Sequence, residues 1–169
     1  MLGIALHHVS RSACYRTIKL GTPAFTGLSR FLTADENRSI GYCTAQKTIT
    51  SLDAEIRQMI NPVSTDYYSL AGDIEDHAAN TPLVVAKTRA IADRLSYIIG
   101  IEALHAAQAV DLRGGIKLGR GTEAVYRAIR SIVPFLDQDR RISDDIEKAG
   151  RLVRSGELLS RAKAALATS

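Results

Sequence analysis

Glu75, Asp76 and His77 stand side by side in the run Ala71-Gly72-Asp73-Ile74-Glu75-Asp76-His77. A carboxylate is a residue type that can take a proton from a substrate, and its neighbours can hold it in place. The run is polar and contains a glycine, as a turn does, and it precedes the longest helical stretch of the chain. A carboxylate at such a turn can project into a cavity, or it can simply be solvated at a helix entry. Tyr67 and Tyr68 introduce the turn and are candidates for a pocket wall or for the core. The other constellations are weaker. His7-His8 is an adjacent pair, without the i, i+4 spacing of helical metal ligands, and reads as surface. His105 reads as a satisfied histidine between helices. Gly119-Arg120-Gly121 lacks the rest of any phosphate loop, and no zinc, Walker or Rossmann pattern occurs, so no metal ligands are assigned.

These residues must be held by a chain of 169 residues, 46% hydrophobic and 24% charged, which suits one globular domain with a real core. We therefore expect residues 1–169 to form a single helical domain. No apolar run approaches the ~18 residues of a membrane span. His7, His8, Arg11 and Arg16 interrupt any signal-like apolar segment near the N-terminus. Cys14 and Cys43 lie far apart without a CxxC pairing, which predicts free thiols and a reducing cytoplasm. The net charge of +4 is scattered among acids, with no basic tail and no aromatic–basic interleaving, so no nucleic-acid partner and no membrane are expected.

Helical periodicity runs from end to end, and the predicted fold class is all-α. A first helix spans Leu2 to Leu20, stopped by Gly21 and Pro23. Pro23 to Asn37 is irregular, anchored by Phe25, Leu28, Phe31 and Leu32. A second helix runs from about Ser39 to Ile60, with Ile49, Leu52, Ile56, Met59 and Ile60 on its apolar face, and Asn61-Pro62 ends it. The longest helix opens near Pro82 and runs toward Leu112, roughly 45 Å. Its core stripe is Val84, Ile91, Leu95, Ile98 and Ile99, and Gly100 allows close packing or a bend. Thr122 is the expected N-cap of a helix ending at Pro134, Ser143 that of the next, and a last helix follows Ser155-Gly156. A helix of that length exceeds the ~15 Å radius of gyration expected for a chain this size. Its stripe therefore finds partners beyond this chain, in a hetero- or homo-oligomer built through long helices.

Several segments then resemble one enzyme family in order and at matching spacing. Pro23 to Leu32 is similar to a Pro-x-x-Ser-Gly-Leu-Pro-x-Phe-Leu loop, with Ser29 in place of the second proline. Gly41, Ala45, Gln46, Thr48, Glu55 and Pro62 match the helix after it, and Ser64-Thr65-Asp66 the run into the turn. Glu75-Asp76-His77 matches a Gln-Glu-Asp-His stretch, with Ile74 replacing the glutamine. Ile101 to Arg113 is close to a Glu-Leu-Leu-x-Ala-Ala-Gln-Ala-Leu-Asp helix, and Val133-Pro134-Phe135 through Asp139-Arg140 and Arg154 to Leu158 match later segments. The family is that of the aromatic amino acid ammonia-lyases, and the match resembles its C-terminal third.

The resemblance implies a long-helix bundle and places Glu75 in the active-site cavity as the catalytic base. Ile74, Asp76, His77, Tyr67 and Tyr68 would line or orient that pocket for a small-molecule substrate. The family's electrophile, a methylidene-imidazolone group, forms from an Ala-Ser-Gly tripeptide that does not occur in these residues. It is expected in a partner chain, if anywhere. Two readings follow. The chain could be the small, C-terminal subunit of a split lyase-like enzyme, completed by a homologous N-terminal-half chain. Alternatively it could be a non-catalytic fragment or helical interaction module. Ile74 beside Glu75 leaves open whether an amino acid is what binds.

Overall fold

The computed structural model describes residues 1–63, 68, 70–72, 74 and 80–167. Its described residues form seven α-helices: α1 (Leu2–Leu20), α2 (Pro23–Thr26), α3 (Cys43–Met59), α4 (Thr81–Arg113), α5 (Arg120–Arg130), α6 (Ser143–Arg154) and α7 (Glu157–Ala167). A 3-10 turn at Arg30–Leu32 lies between α2 and α3. The all-α expectation holds.

Helix α4 is the axis. It has 33 residues and is about 50 Å long. Ile91, Ile98, Ile101 and Leu104 on α4 meet Ala13 of α1, Ile49 and Ile56 of α3 and Ala149 of α6, all essentially inaccessible to solvent. The apolar spacing of α3 worked as expected: Ile49 and Ile56 are in the core, and Leu52, Met59 and Ile60 pack against it. Gly100 makes a close approach. A Cβ there would lie 2.8 Å from the Gly150 nitrogen and 2.9 Å from the Ala149 carbonyl carbon. These are backbone atoms of α6 that yield only if the helix shifts. Gly100→Ala should therefore cost about 1–3 kcal/mol in overpacking, more than the ~1 kcal/mol of helix propensity it gains. A thermal midpoint equal to or above wild type would contradict this packing.

Several expected boundaries move. Helix α3 starts at Cys43, not Ser39, because the Asp139 carboxylate accepts from the Ile40 and Gly41 N–H groups at 2.9 and 3.0 Å. Gly41 also has φ +52°, outside the helical region. Thr122 lies inside α5, which Gly119 caps; its hydroxyl donates back to the Gly119 carbonyl at 2.8 Å. α5 ends at Arg130, not Pro134. Ser143 is the first residue of α6, with Ile142 at the cap, while Asp144 and Asp145 occupy the first turn where the helix dipole favours them. Phe25 does not anchor the loop: it is exposed, with the Lys19 ammonium 5.8 Å from its ring centre, and Leu32 is the buried residue.

His7 departs from the expected surface position, and His105 lies in the interior as expected. His7 is buried against Asp53 of α3, its Nε2 3.6 Å from a carboxylate oxygen that also accepts from the Ser10 hydroxyl at 2.6 Å. His105 is completely buried, its Nδ1 2.9 Å from the Ile101 carbonyl and its ring 4.6 Å from that of Tyr42. The histidine between helices is therefore satisfied at one nitrogen; Nε2 has no hydrogen-bond partner. Burial pushes its pKa down to about 4 from 6.5. The unfolded chain takes up this proton as pH falls below 6.5, and the folded chain only near 4. Stability present above the first value is thus lost progressively across that window. Urea unfolding of His105→Leu should show a shallower loss between pH 6.5 and 4 than wild type; equal slopes would contradict it.

Candidate functional site

The expected site lies between α3 and α4. Asn61-Pro62 stops α3, and Pro82, in the first turn of α4, restarts the helix with a preset φ. Between them, Ala71 and Gly72 both have positive φ, at 52° and 67°, so the Gly-containing turn read from the sequence is present. Glu75, Asp76, His77 and Tyr67 lie outside the described residues. Tyr68 and Ile74 are described, and both are outward, 78% and 85% exposed.

The roots of this segment are tied together. The Asn80 side-chain amide donates to the Val63 carbonyl at 3.3 Å, and the Lys87 ammonium donates to the Asn61 carbonyl. Around them the end of the bundle is apolar and open. Leu83, Val85 and Leu2 are exposed, and Val84, expected in the core stripe, is 38% exposed with them. A small cleft of about 120 Å³ between Leu2, Met59, Ile60, Val84 and Ile91 opens at the same end.

A larger cavity lies elsewhere. It measures about 640 Å³ and lies between Ala103, Ala107 and Val110 of α4, Val125 and Ile129 of α5, and Leu166 of α7. Ala103 is roughly 33 Å along α4 from Thr81. Its lining is almost wholly apolar, with no carboxylate or imidazole to move a proton, so size does not mark the chemical site here. Nor does the buried thiol: burial pushes Cys14 up to about 11, which leaves it protonated and inert at neutral pH. Among the described residues no three His, Cys, Asp or Glu side chains gather as a metal site, and no helix is long and apolar enough to cross a membrane.

Comparison with known proteins decides the family. The sequence model for the aromatic amino acid lyases matches residues 1–131. The chain belongs to the aromatic amino acid lyase family. It is 35% identical to histidine ammonia-lyase from Myxococcus xanthus over 99% of its length, covering 33% of that protein. The structure of histidine ammonia-lyase from Trypanosoma cruzi superposes with a TM-score of 0.92 at 28% identity, over 96% of this chain and 32% of that one. The ergothioneine-degrading enzyme ergothionase from Treponema denticola, solved with desmethyl-ergothioneine sulfonic acid, superposes with a TM-score of 0.90. Identity to it is 53%, over 94% of this chain and 32% of that one. The chain spans about a third of the length of these relatives.

Sequence reasoning found the turn at Ala71 and Gly72. It gave no structural role to Asn80 or Lys87, although an asparagine just before Thr81-Pro82 is a recognisable signal for a left-handed residue at a helix start.

Proposed function

We propose that this chain supplies the C-terminal part of an elimination enzyme acting on ergothioneine or a similar betaine, completed by a partner chain that carries the N-terminal portion. The observation that carries the reading is the 53% identity to the ergothioneine-degrading enzyme, against 35% and 28% to two histidine lyases. The exposed apolar end around Leu83, Val84 and Val85 supports assembly with further chain. Free Cys14 and Cys43 suit a cytoplasmic enzyme.

The chemistry suits the residues. Ergothioneine carries a quaternary trimethylammonium group. In the elimination, the Glu75 carboxylate takes a proton from the β-carbon, its electron pair forms the α,β double bond, and the C–N bond breaks with its pair leaving on nitrogen as neutral trimethylamine. A primary amine needs an electrophile to make it leave; a quaternary nitrogen already carries its positive charge, so the base supplies the larger share. The tripeptide that forms the family's electrophile does not occur in these residues, and no step is routed through it. Ile74 fits the same substrate. A methyl-coated cation has no N–H to donate, and apolar and aromatic surface such as Ile74, Tyr67 and Tyr68 suits it better than the amide the resemblance puts beside the base.

Substrate preference tests this reading. The assembled enzyme should release trimethylamine from ergothioneine with kcat/KM at least about a hundredfold above that for ammonia release from histidine. Equal or reversed preference would return the chain to the amino acid lyases.

A further inference from the structure

Helix α4 turns a stripe of small residues toward α5 and α7: Ala103, Ala106, Ala107 and Val110 recur at i, i+3, i+4 and i+7. Alanine leaves room that leucine would fill, and the facing helices do not take it up. The cavity of about 640 Å³ that results falls within the roughly 300–1,000 Å³ of small-molecule pockets. Val125 and Ile129 of α5 and Leu166 of α7 complete its aliphatic walls. Tyr126 adds a ring whose hydroxyl is already engaged by Asp111 at 2.5 Å.

One end of the cavity differs. It is formed by the start of α5, where Arg120 and Thr122 are exposed and therefore stand at the mouth. No side chain caps this helix start. The Thr122 hydroxyl donates to the Gly119 carbonyl at 2.8 Å, and the Glu123 carboxylate is paired with Arg127 at 2.6 Å. The positive end of the helix dipole and a guanidinium thus meet at the entrance of an apolar space. No carboxylate lines it.

We propose that this cavity binds a fatty carboxylate, its unbranched tail seated between α4, α5 and α7 and its head at Arg120 and the start of α5. Aliphatic side chains on three convex helices suit a flexible chain better than a flat ring. The head answers the charge at the mouth, and the tail fills space that otherwise goes without van der Waals partners. The site stands roughly 33 Å along α4 from Thr81 and moves no proton. It is therefore a ligand site additional to the elimination, and neither reading falls with the other.

Calorimetric titration of the 169-residue chain, and of the enzyme assembled with its N-terminal portion, tests this with hexanoate, octanoate and decanoate. Binding should saturate at one ligand per chain, and affinity should rise about threefold to fourfold with each methylene. The methyl NMR signals of Val110, Val125, Ile129 and Leu166 should move. Decanol, with the same tail and no charge, should bind about fivefold more weakly, and decylamine more weakly again. Ala106 is exposed at the rim, so Ala106→Leu occupies the cavity without disturbing the core. It should weaken decanoate at least about tenfold with an unchanged thermal midpoint. Arg120→Gln should bring decanoate down to the affinity of decanol. Affinity indifferent to tail length, decylamine binding as well as decanoate, or wild-type binding by Ala106→Leu would each overturn the proposal. So would a chain that binds anionic phospholipid vesicles but no free decanoate, which would make the patch a bilayer contact. Binding to the chain alone but not to the assembled enzyme would show that protein covers the cavity, and would overturn it too.

Discussion

Glu75→Gln in the assembled enzyme should lower turnover by about two to four orders of magnitude while leaving assembly and thermal stability near wild type. The substitution keeps the size of the side chain and removes its capacity to accept a proton, so whatever is lost is proton transfer and not packing. Asp76→Asn is the contrast. If Asp76 holds the turn, its loss should appear as about 1 kcal/mol of stability, the scale of a missing cap or hydrogen bond, with turnover changed only modestly. The two variants, assayed side by side for trimethylamine release and thermal unfolding, assign the roles. Equal effects on turnover would mean that the two carboxylates act as a unit, and unchanged turnover in Glu75→Gln would reduce it to a helix-entry carboxylate.

Gln108→Leu should produce the largest loss of stability in the fold. Gln108 is fully buried in the C-terminal part of α4. Its amide nitrogen donates to the carbonyls of Leu32 and Leu136 at 3.2 and 2.9 Å, and its oxygen accepts the Leu136 N–H at 3.0 Å. One side chain thus joins the loop before α3 to the loop before α6. Arg130 reaches the same oxygen at 3.4 Å and pairs with Asp111 at 2.6 Å, which Tyr126 also contacts at 2.5 Å. Leucine would fill the space but strand two carbonyls and an N–H in the core. At about 1–3 kcal/mol for each group left unsatisfied, the loss should reach at least about 3 kcal/mol, a large share of the 5–15 kcal/mol typical of a domain. Urea unfolding measures it, and a loss under about 1 kcal/mol would show that the network relaxes around the change.

Local signals carried as far as local causes reach. The bounds of α1 and α4 were legible because Gly21, Pro82 and Gly114 act on their own neighbours. The start of α3 was not, since Asp139, distant in sequence, draws Ile40 and Gly41 out of the helix. His7 read as surface because its carboxylate partner sits on another helix. Gln108 lay within a segment matched to the family, yet its three backbone partners come from loops that periodicity does not address. At the site, turn chemistry and the run of ionisable residues picked out Glu75, while the resemblance singled out Ile74 and supplied a role for both. The tie from Asn80 to Val63 was illegible for the same reason as the Asp139 contact: its meaning depends on a backbone carbonyl that no pattern of side chains marks.

The central claim is that this chain contributes the base to an active site completed by an N-terminal portion. The most direct measurement is trimethylamine release from ergothioneine by three preparations: this chain alone, the N-terminal portion alone, and the two combined. The account predicts turnover only in the combined preparation, together with a defined complex by light scattering. Release by the N-terminal portion alone, or a combined complex that is inert on ergothioneine, would contradict it.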